Sequence, residues 1–150
     1  MGARAGRAAG ARDARGVSLE RLILDTAVLI AAERAGDALD RLIGDEDDVA
    51  IAAVTAAELL VGVELADPRR RERRRRYVEA LLETIPVEDY DLEAARAHAA
   101  LLAHVCREGR PRGAHDLLVA ATAVARARVV VTTDAAGFAG LPGVEVRAPR

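Results

Sequence analysis

Short apolar runs typical of buried strands alternate along this chain with longer helical segments, and few folds can accommodate that alternation. The strand-like runs cover residues 22–24, 49–54, 84–87, 129–133 and, as a final edge strand, 144–146. The segments between most of them are long enough for the helical crossover that parallel strands require. The pattern therefore predicts an α/β fold with a central parallel sheet of about four to five strands and helices on both faces.

The helical segments carry local start and stop signals. Pro68 is expected to open a helix and Asp91 to cap one, whereas Gly36 and Gly109 follow helices as stop residues. The predicted helices cover residues 27–34, 37–43, 56–65, 68–82, 91–107 and 116–127.

The 150 residues are enough for one domain with one sizeable core. Residues 1–18 are rich in Ala, Gly and Arg and lack the apolar stretch of a secretory signal, so we predict a flexible tail followed by a domain at 19–150. No apolar run reaches the roughly 18 residues of a membrane span. The single cysteine, Cys106, excludes an intramolecular disulfide and a thiolate zinc cluster. We therefore expect a cytoplasmic protein without a membrane partner.

The charge of the chain is nearly balanced, at −2, but its distribution is uneven. Residues 69–76 read RRRERRRR, which has two interpretations: a surface for phosphates or an acidic partner, or a solvated helix face whose Arg stems cover apolar neighbours. Arg110 and Arg112 lie in a predicted loop and are better placed to meet a phosphate backbone. Aromatic residues make up only 2% of the chain, so base-stacking surfaces are expected to be nearly absent.

Four acidic residues lie next to the predicted strands. Asp25 ends the first strand, Glu58 lies in the helix after the second, Asp116 begins the helix before the fourth, and Asp134 ends that fourth strand. Open parallel sheets bind ligands at the carboxyl ends of their strands, so these side chains are predicted to converge. Such a cluster repels itself unless protons or cations compensate, and an oxygen-only ligand set favours Mg²⁺ or Mn²⁺.

Each acid also has a structural interpretation. Asp25 and Asp116 are suited to capping the helices that begin beside them, and Asp134 to an Asx turn. Thr55 and Glu58 have the spacing of a capping box, in which Glu58 bonds back to the Thr55 amide. Taken together, the four favour a metal site, because independent caps have no reason to meet at one edge of a sheet.

The segments LILDTAVLI, TAAELLVGV, GAHDLLVAATA and VVTTDAAGF resemble those of PIN-domain ribonucleases, specifically the VapC-type toxins of type II toxin–antitoxin pairs. The resemblance extends from Leu22 to the C-terminus and implies a three-layer α/β/α PIN-like fold. It further implies that Asp25 and Asp116 are the principal metal ligands and that Glu58 and Asp134 complete the catalytic pocket. One departure is visible: many relatives carry a further Asp where this chain has Gly137.

The resemblance implies a Mg²⁺-dependent ribonuclease that acts as a toxin. Its expected partners are an RNA substrate, a cognate antitoxin protein and a second copy of the chain. The alternative is a catalytically weak PIN-type module that binds RNA or protein. A haloacid-dehalogenase-type phosphatase also begins with a strand and an Asp, but it needs an Asp at position 27, which is Ala here, and a Lys, which the chain lacks.

Overall fold

The computed structural model describes residues 19–36, 41 and 44–150. Within them, five strands form one parallel sheet in the order β3-β2-β1-β4-β5. The strands are β1 (Arg21–Leu24), β2 (Asp48–Ala52), β3 (Val87–Glu88), β4 (Val129–Val131) and β5 (Val146–Arg147). The predicted parallel α/β architecture is confirmed, and the last strand lies at an edge of the sheet as expected.

Five α-helices are described, and the local signals in the sequence locate several of their ends. Gly36 and Gly109 adopt the left-handed conformation at the ends of α1 and α4, with φ near 65° and 63°. The carboxylates of Asp67 and Asp91 cap the starts of α3 and α4 by accepting backbone N–H bonds. The helices are α1 (Thr26–Ala35), α2 (Ala53–Glu64), α3 (Pro68–Thr84), α4 (Leu92–Glu108) and α5 (Ala114–Ala125).

The helices cover both faces of the sheet, which makes the predicted three layers. Successive side chains of a strand point to opposite faces. On one face Ile23 of β1 packs with residues of α4 and α5. On the other face Leu22 and Leu24 pack with residues of α1, α2 and α3. None of the helices in the described ranges combines the length and hydropathy of a membrane-spanning segment.

The junction between β2 and α2 differs from the prediction. The strand was expected at 49–54 and the helix from 56, but β2 ends at Ala52 and α2 begins at Ala53. Val54 packs against the core from the first turn of the helix. The apolar run therefore passes from strand to helix without a polar residue, Gly or Pro to mark the change.

Other boundaries also shift by one to three residues. Residues 84–86, expected in the third strand, come before it, because α3 continues to Thr84. The fourth strand ends at Val131, two residues earlier than predicted, and α5 begins at Ala114, two residues before Asp116. The last strand is Val146–Arg147 rather than 144–146. The predicted helix at 37–43, apart from Arg41, and the predicted tail at 1–18 lie outside the described residues.

The strand order places a ligand crevice beside β1. The chain runs from β1 to β2 and β3 on one side, whereas β4 and β5 lie on the other side. Ligands of open α/β sheets bind at the carboxyl ends of the strands where the order reverses. The amide of Asp25 donates a hydrogen bond to the carbonyl of Val131 (2.9 Å), so the ends of β1 and β4 are joined at this point.

Candidate active site

Asp25 is held at the end of β1 by one hydrogen bond to each carboxylate oxygen. Its Oδ1 accepts from the amide of Thr26 (2.9 Å) at the start of α1, and its Oδ2 accepts from Oγ1 of Thr132 (2.8 Å). The residue is buried, with 7% of its surface exposed. The capping interpretation of Asp25 is therefore correct for one oxygen, while the other oxygen is bound to the segment that follows β4.

Thr132 is a site residue that the sequence analysis missed. It follows β4 directly, is buried, and has a hydroxyl that donates to Asp25 and accepts from the amide of Asp134 (3.0 Å). It therefore connects two of the predicted site acids. The sequence feature that could have indicated it is the pair of threonines directly before Asp134. Of these two residues Thr132 is buried at the site, whereas Thr133 is exposed.

Asp116 lies in the first turn of α5 and interacts electrostatically with the other three acids. Burial, followed by the charges of Asp25, Asp134 and Glu58, raises the pKa of its carboxyl, and the charge of His115 acts in the opposite direction. Because α5 begins at Ala114 with Gly113 as its N-cap residue, the N-cap interpretation of Asp116 is wrong. The structure thus brings the four predicted acids into electrostatic contact.

Gly137 allows the chain to pass close to Asp116 and Asp134. A Cβ atom at position 137 would lie 3.0 Å from Oδ2 of Asp116 and 3.6 Å from Oδ2 of Asp134. Gly113 is similarly close, since a Cβ there would lie 2.9 Å from Oδ2 of Asp116. The position at which many relatives carry a further Asp therefore adjoins two of the site acids, and here it adds neither charge nor bulk.

Glu58 faces α5 rather than the start of its own helix. The capping-box interpretation is wrong, because α2 begins at Ala53 and Thr55 lies inside the helix, buried and with its hydroxyl unpaired. Oε1 of Glu58 lies 3.3 Å from Nδ1 of His115, the residue before Asp116. The side chain therefore borders the acid cluster.

Asp134 is exposed and begins a 3₁₀ turn at Ala135–Gly137, but its side chain makes no capping hydrogen bond. Arg112 holds this turn in place, since its guanidinium donates to the carbonyls of Ala136 (2.7 Å) and Ala139. The sequence pattern predicted that Arg112 would meet a phosphate backbone. In the structure its guanidinium is instead bound to the protein backbone.

A divalent cation suits this donor set. All four acids offer carboxylate oxygens, which hard cations prefer, and their mutual repulsion is relieved by positive charge. In the described part of the chain no group of three or more His, Cys, Asp or Glu side chains is arranged closely enough to hold a metal ion. The acids thus lie within electrostatic range of one another without forming a closed ligand shell, and it is the chemistry of their oxygens that suits a cation.

The Arg-rich segment forms the first half of α3, and most of it has structural contacts. Arg71 donates to the carbonyls of Glu64 and Ala66 at the end of α2, and Arg74 pairs with Glu33 of α1 (3.2 Å). Glu72 lies within the run and pairs with two further arginines, Arg75 and Arg76. These contacts favour the interpretation of a solvated helix face over that of a phosphate-binding surface.

Comparison with known proteins gives consistent matches. The PIN domain family matches residues 22–143. Ribonuclease VapC5 of Mycobacterium tuberculosis is 41% identical over 124 residues, which are 81% of this chain and 87% of that protein. The structure of VapBC-5, a toxin–antitoxin system from the same organism, is 36% identical, with a TM-score of 0.68 and coverage of 84% of this chain and 96% of that one.

A DNA-bound VapBC structure from Salmonella typhimurium is 28% identical, with a TM-score of 0.72, and covers 87% of this chain and 98% of that one. The residues matched by the PIN domain family include all four acids of the site.

Proposed function

This chain belongs to the PIN-domain family as a VapC-type ribonuclease, and from that premise we propose that it cleaves RNA with a divalent cation bound at Asp25, Glu58, Asp116 and Asp134. The observation that supports the proposal is that the charges of Asp25, Asp134 and Glu58 all raise the pKa of the Asp116 carboxyl, so four carboxylates from separate segments lie within electrostatic range of one another. In the cell this activity is that of the toxin of a toxin–antitoxin pair.

The roles of the acids follow from their surroundings. Asp25 and Asp116 are the principal ligands of Mg²⁺ or Mn²⁺; Glu58 and Asp134 complete the pocket. Thr132 and the amide of Thr26 orient the carboxylate of Asp25. A divalent cation supplies a water of lowered pKa and polarises a phosphoryl oxygen, which is the chemistry that phosphodiester hydrolysis needs.

The test is RNA cleavage as a function of Mg²⁺ concentration by the wild type and by Asp25→Asn. Asn also caps helices well, so the fold is expected to persist. We expect cleavage to require Mg²⁺. We expect the cleavage rate of the variant to be at least about a hundredfold lower, which is more than the loss of a residue that only supports a metal ligand usually costs. Asp67→Asn, which alters the capping acid of α3, is the matched control and is expected to cleave like the wild type.

Cleavage by the wild type in EDTA, or by Asp25→Asn at the wild-type rate, would contradict the proposal. RNA binding without any Mg²⁺-dependent cleavage would indicate the alternative, a PIN-type module that binds but does not cut.

We further propose two protein partners, a cognate antitoxin and a second copy of the chain. The similar VapBC-5 structure is described as part of a toxin–antitoxin system. Leu60 and Val61 of α2, and Leu65 directly after it, expose 41%, 54% and 81% of their surfaces, and exposed apolar patches mark protein interfaces. A dimer mass is expected for the isolated chain at micromolar concentration, and a monomer mass would contradict the homodimer.

Addition of the antitoxin is expected to inhibit cleavage.

A further inference from the structure

An apolar cleft of about 340 Å³ lies between α2, α5 and the segment after β3. Its lining residues come from the start of α2, the segment after β3 and the middle of α5, and they are Ala53, Val54, Tyr90, Leu118 and Thr122. The helices α2 and α5 also carry Glu58 and Asp116. Val54 lies one turn before Glu58 on α2, whereas Leu118 and Asp116 are two residues apart and lie on different sides of α5. The cleft is therefore built by the same two helices as the acid cluster.

We propose that this cleft, built by the two helices that also carry Glu58 and Asp116, binds a nucleobase of the RNA with the ring of Tyr90 stacked on the base. The inference rests on the proposed ribonuclease function and adds a base-binding site to it. A volume of 340 Å³ is at the lower end of the range of about 300–1,000 Å³ found for small-molecule pockets.

Tyr90 is the aromatic residue suited to this role. The chain contains three aromatic residues, all within the described part. Phe138 is buried in the core, and Tyr77 is half-buried and donates its hydroxyl to the carbonyl of Leu29. Tyr90 exposes 46% of its surface. The low aromatic content argued against base recognition, but the one exposed ring lines this cleft.

The ring of Tyr90 is held in position before a ligand arrives. Its hydroxyl lies 2.8 Å from Nδ1 of His98, and the two rings meet edge-on at an angle of 79°. A fixed aromatic ring loses little conformational entropy when a base stacks on it.

The cleft offers stacking but few groups that read a base edge. Its only side-chain hydroxyl besides that of Tyr90 belongs to Thr122, and this hydroxyl donates to the carbonyl of Leu118 (2.8 Å). We therefore infer that the site accepts a base through its aromatic face, with discrimination by ring size rather than by hydrogen-bond pattern.

Binding measurements with two probes of equal charge test this inference. The first probe is fluorescein-labelled hexaadenylate RNA, and the second is the corresponding hexamer of abasic ribose phosphates. Affinities are measured by fluorescence anisotropy in EDTA, and the Asp25→Asn chain serves as the parent so that the RNA is not cleaved. The probe is checked to be intact after each measurement. Tyr90→Leu removes the ring, and Tyr90→Phe keeps it. Leu92→Ala is the control, because Leu92, the first residue of α4 and two positions after Tyr90, is exposed but does not line the cleft.

We expect Tyr90→Leu to weaken hexaadenylate binding about ten- to hundredfold, which corresponds to the stacking of one base. Tyr90→Phe and Leu92→Ala are expected to stay within about threefold of the parent chain. The abasic probe is expected to bind the parent more weakly by a similar factor and to be insensitive to Tyr90→Leu.

Unchanged hexaadenylate binding by Tyr90→Leu, or equal weakening of both probes, would overturn the base site. A fall from dimer to monomer mass in Tyr90→Leu with unchanged binding would show that a second copy occupies the cleft. The proposed function is tested separately by cleavage with the wild-type chain. Absence of cleavage with Tyr90-dependent binding contradicts that function alone, whereas cleavage with Tyr90-independent binding contradicts the base site alone.

Discussion

At the scale of single residues, Asp116 experiences the repulsion within the site most directly. Its pKa is raised, so the folded state binds its proton more tightly than the unfolded state does. The stabilising effect of that proton is fully present below the unfolded pKa of about 4 and is lost as the pH rises through the folded pKa. At neutral pH without a divalent cation, the charged Asp116 therefore lowers the free energy of unfolding.

The first prediction concerns Asp116→Asn. The variant is expected to lose RNA cleavage and yet to be more stable than the wild type at pH 7 in EDTA, with the difference shrinking as the pH falls through the raised folded pKa and absent below about 4. Urea unfolding at both pH values checks the sign, and Asp67→Asn at the exposed cap of α3 is the control. Lower stability of Asp116→Asn at pH 7 would show that the carboxylate is a net stabilising group.

The second prediction concerns Glu58→Gln. Since the capping box does not form, this substitution removes a charge near Asp116 without removing a helix cap. We expect normal folding, a higher Mg²⁺ concentration for half-maximal cleavage, and a slower maximal rate. Mg²⁺ titrations of the cleavage rate for the variant and the wild type provide the measurement. Superimposable titration curves would remove Glu58 from the metal site.

At the scale of secondary-structure elements, the sequence predicts what local signals control. Pro68, Asp91, Gly36 and Gly109 each act on the backbone of their own segment, and the helix ends that they mark lie where expected. The junction of β2 and α2 has no such signal, because Val54 belongs to the core from within a helix. That one boundary determined how Glu58 was interpreted, so a local error produced an incorrect capping alternative.

The third prediction concerns the 3₁₀ turn that follows Asp134. Arg112 donates to two carbonyls around this turn, and we expect Arg112→Ala to lower the free energy of unfolding by about 1–2 kcal/mol, the range for one or two lost hydrogen bonds. Cleavage is expected to fall because Gly137, Asp134 and Asp116 no longer keep their spacing. The control is Arg75→Ala, whose exposed ion pair with Glu72 contributes at most about 1 kcal/mol. Equal effects of the two substitutions would contradict a special role for Arg112.

At the scale of the whole molecule, the convergence of the acids was predictable but the contacts that orient them were not. The strand pattern and the rule for parallel sheets placed four acids at one edge. The pairing of Thr132 with Asp25 spans 107 positions in the chain. Similarly, nothing distinguishes Arg128 in sequence from the other arginines, yet it is buried and bonded to Asp48 and Glu88 and to the carbonyl of Leu22. Such contacts depend on packing between distant segments.

The last prediction concerns the stability of the whole fold in the presence of Mg²⁺. A ligand that binds only the folded state stabilises it in proportion to the logarithm of its concentration, by about 2.7 kcal/mol at a hundred times its dissociation constant. For a domain of this size, 1 kcal/mol shifts the melting temperature by roughly 2–4 °C. We therefore expect saturating Mg²⁺ to raise the melting temperature of the wild type by about 5–10 °C at pH 7.

The same measurement separates specific binding from salt screening. KCl at equal ionic strength also reduces repulsion among the acids. A monovalent salt screens exposed charges over a Debye length of about 10 Å at 0.1 M, and this screening does not depend on any single carboxylate. The shift with Mg²⁺ is therefore expected to exceed that with KCl in the wild type and to fall to the KCl value in Asp116→Asn. Equal shifts with both salts in the wild type would mean that the four acids form no cation site, because site binding would then contribute nothing beyond screening.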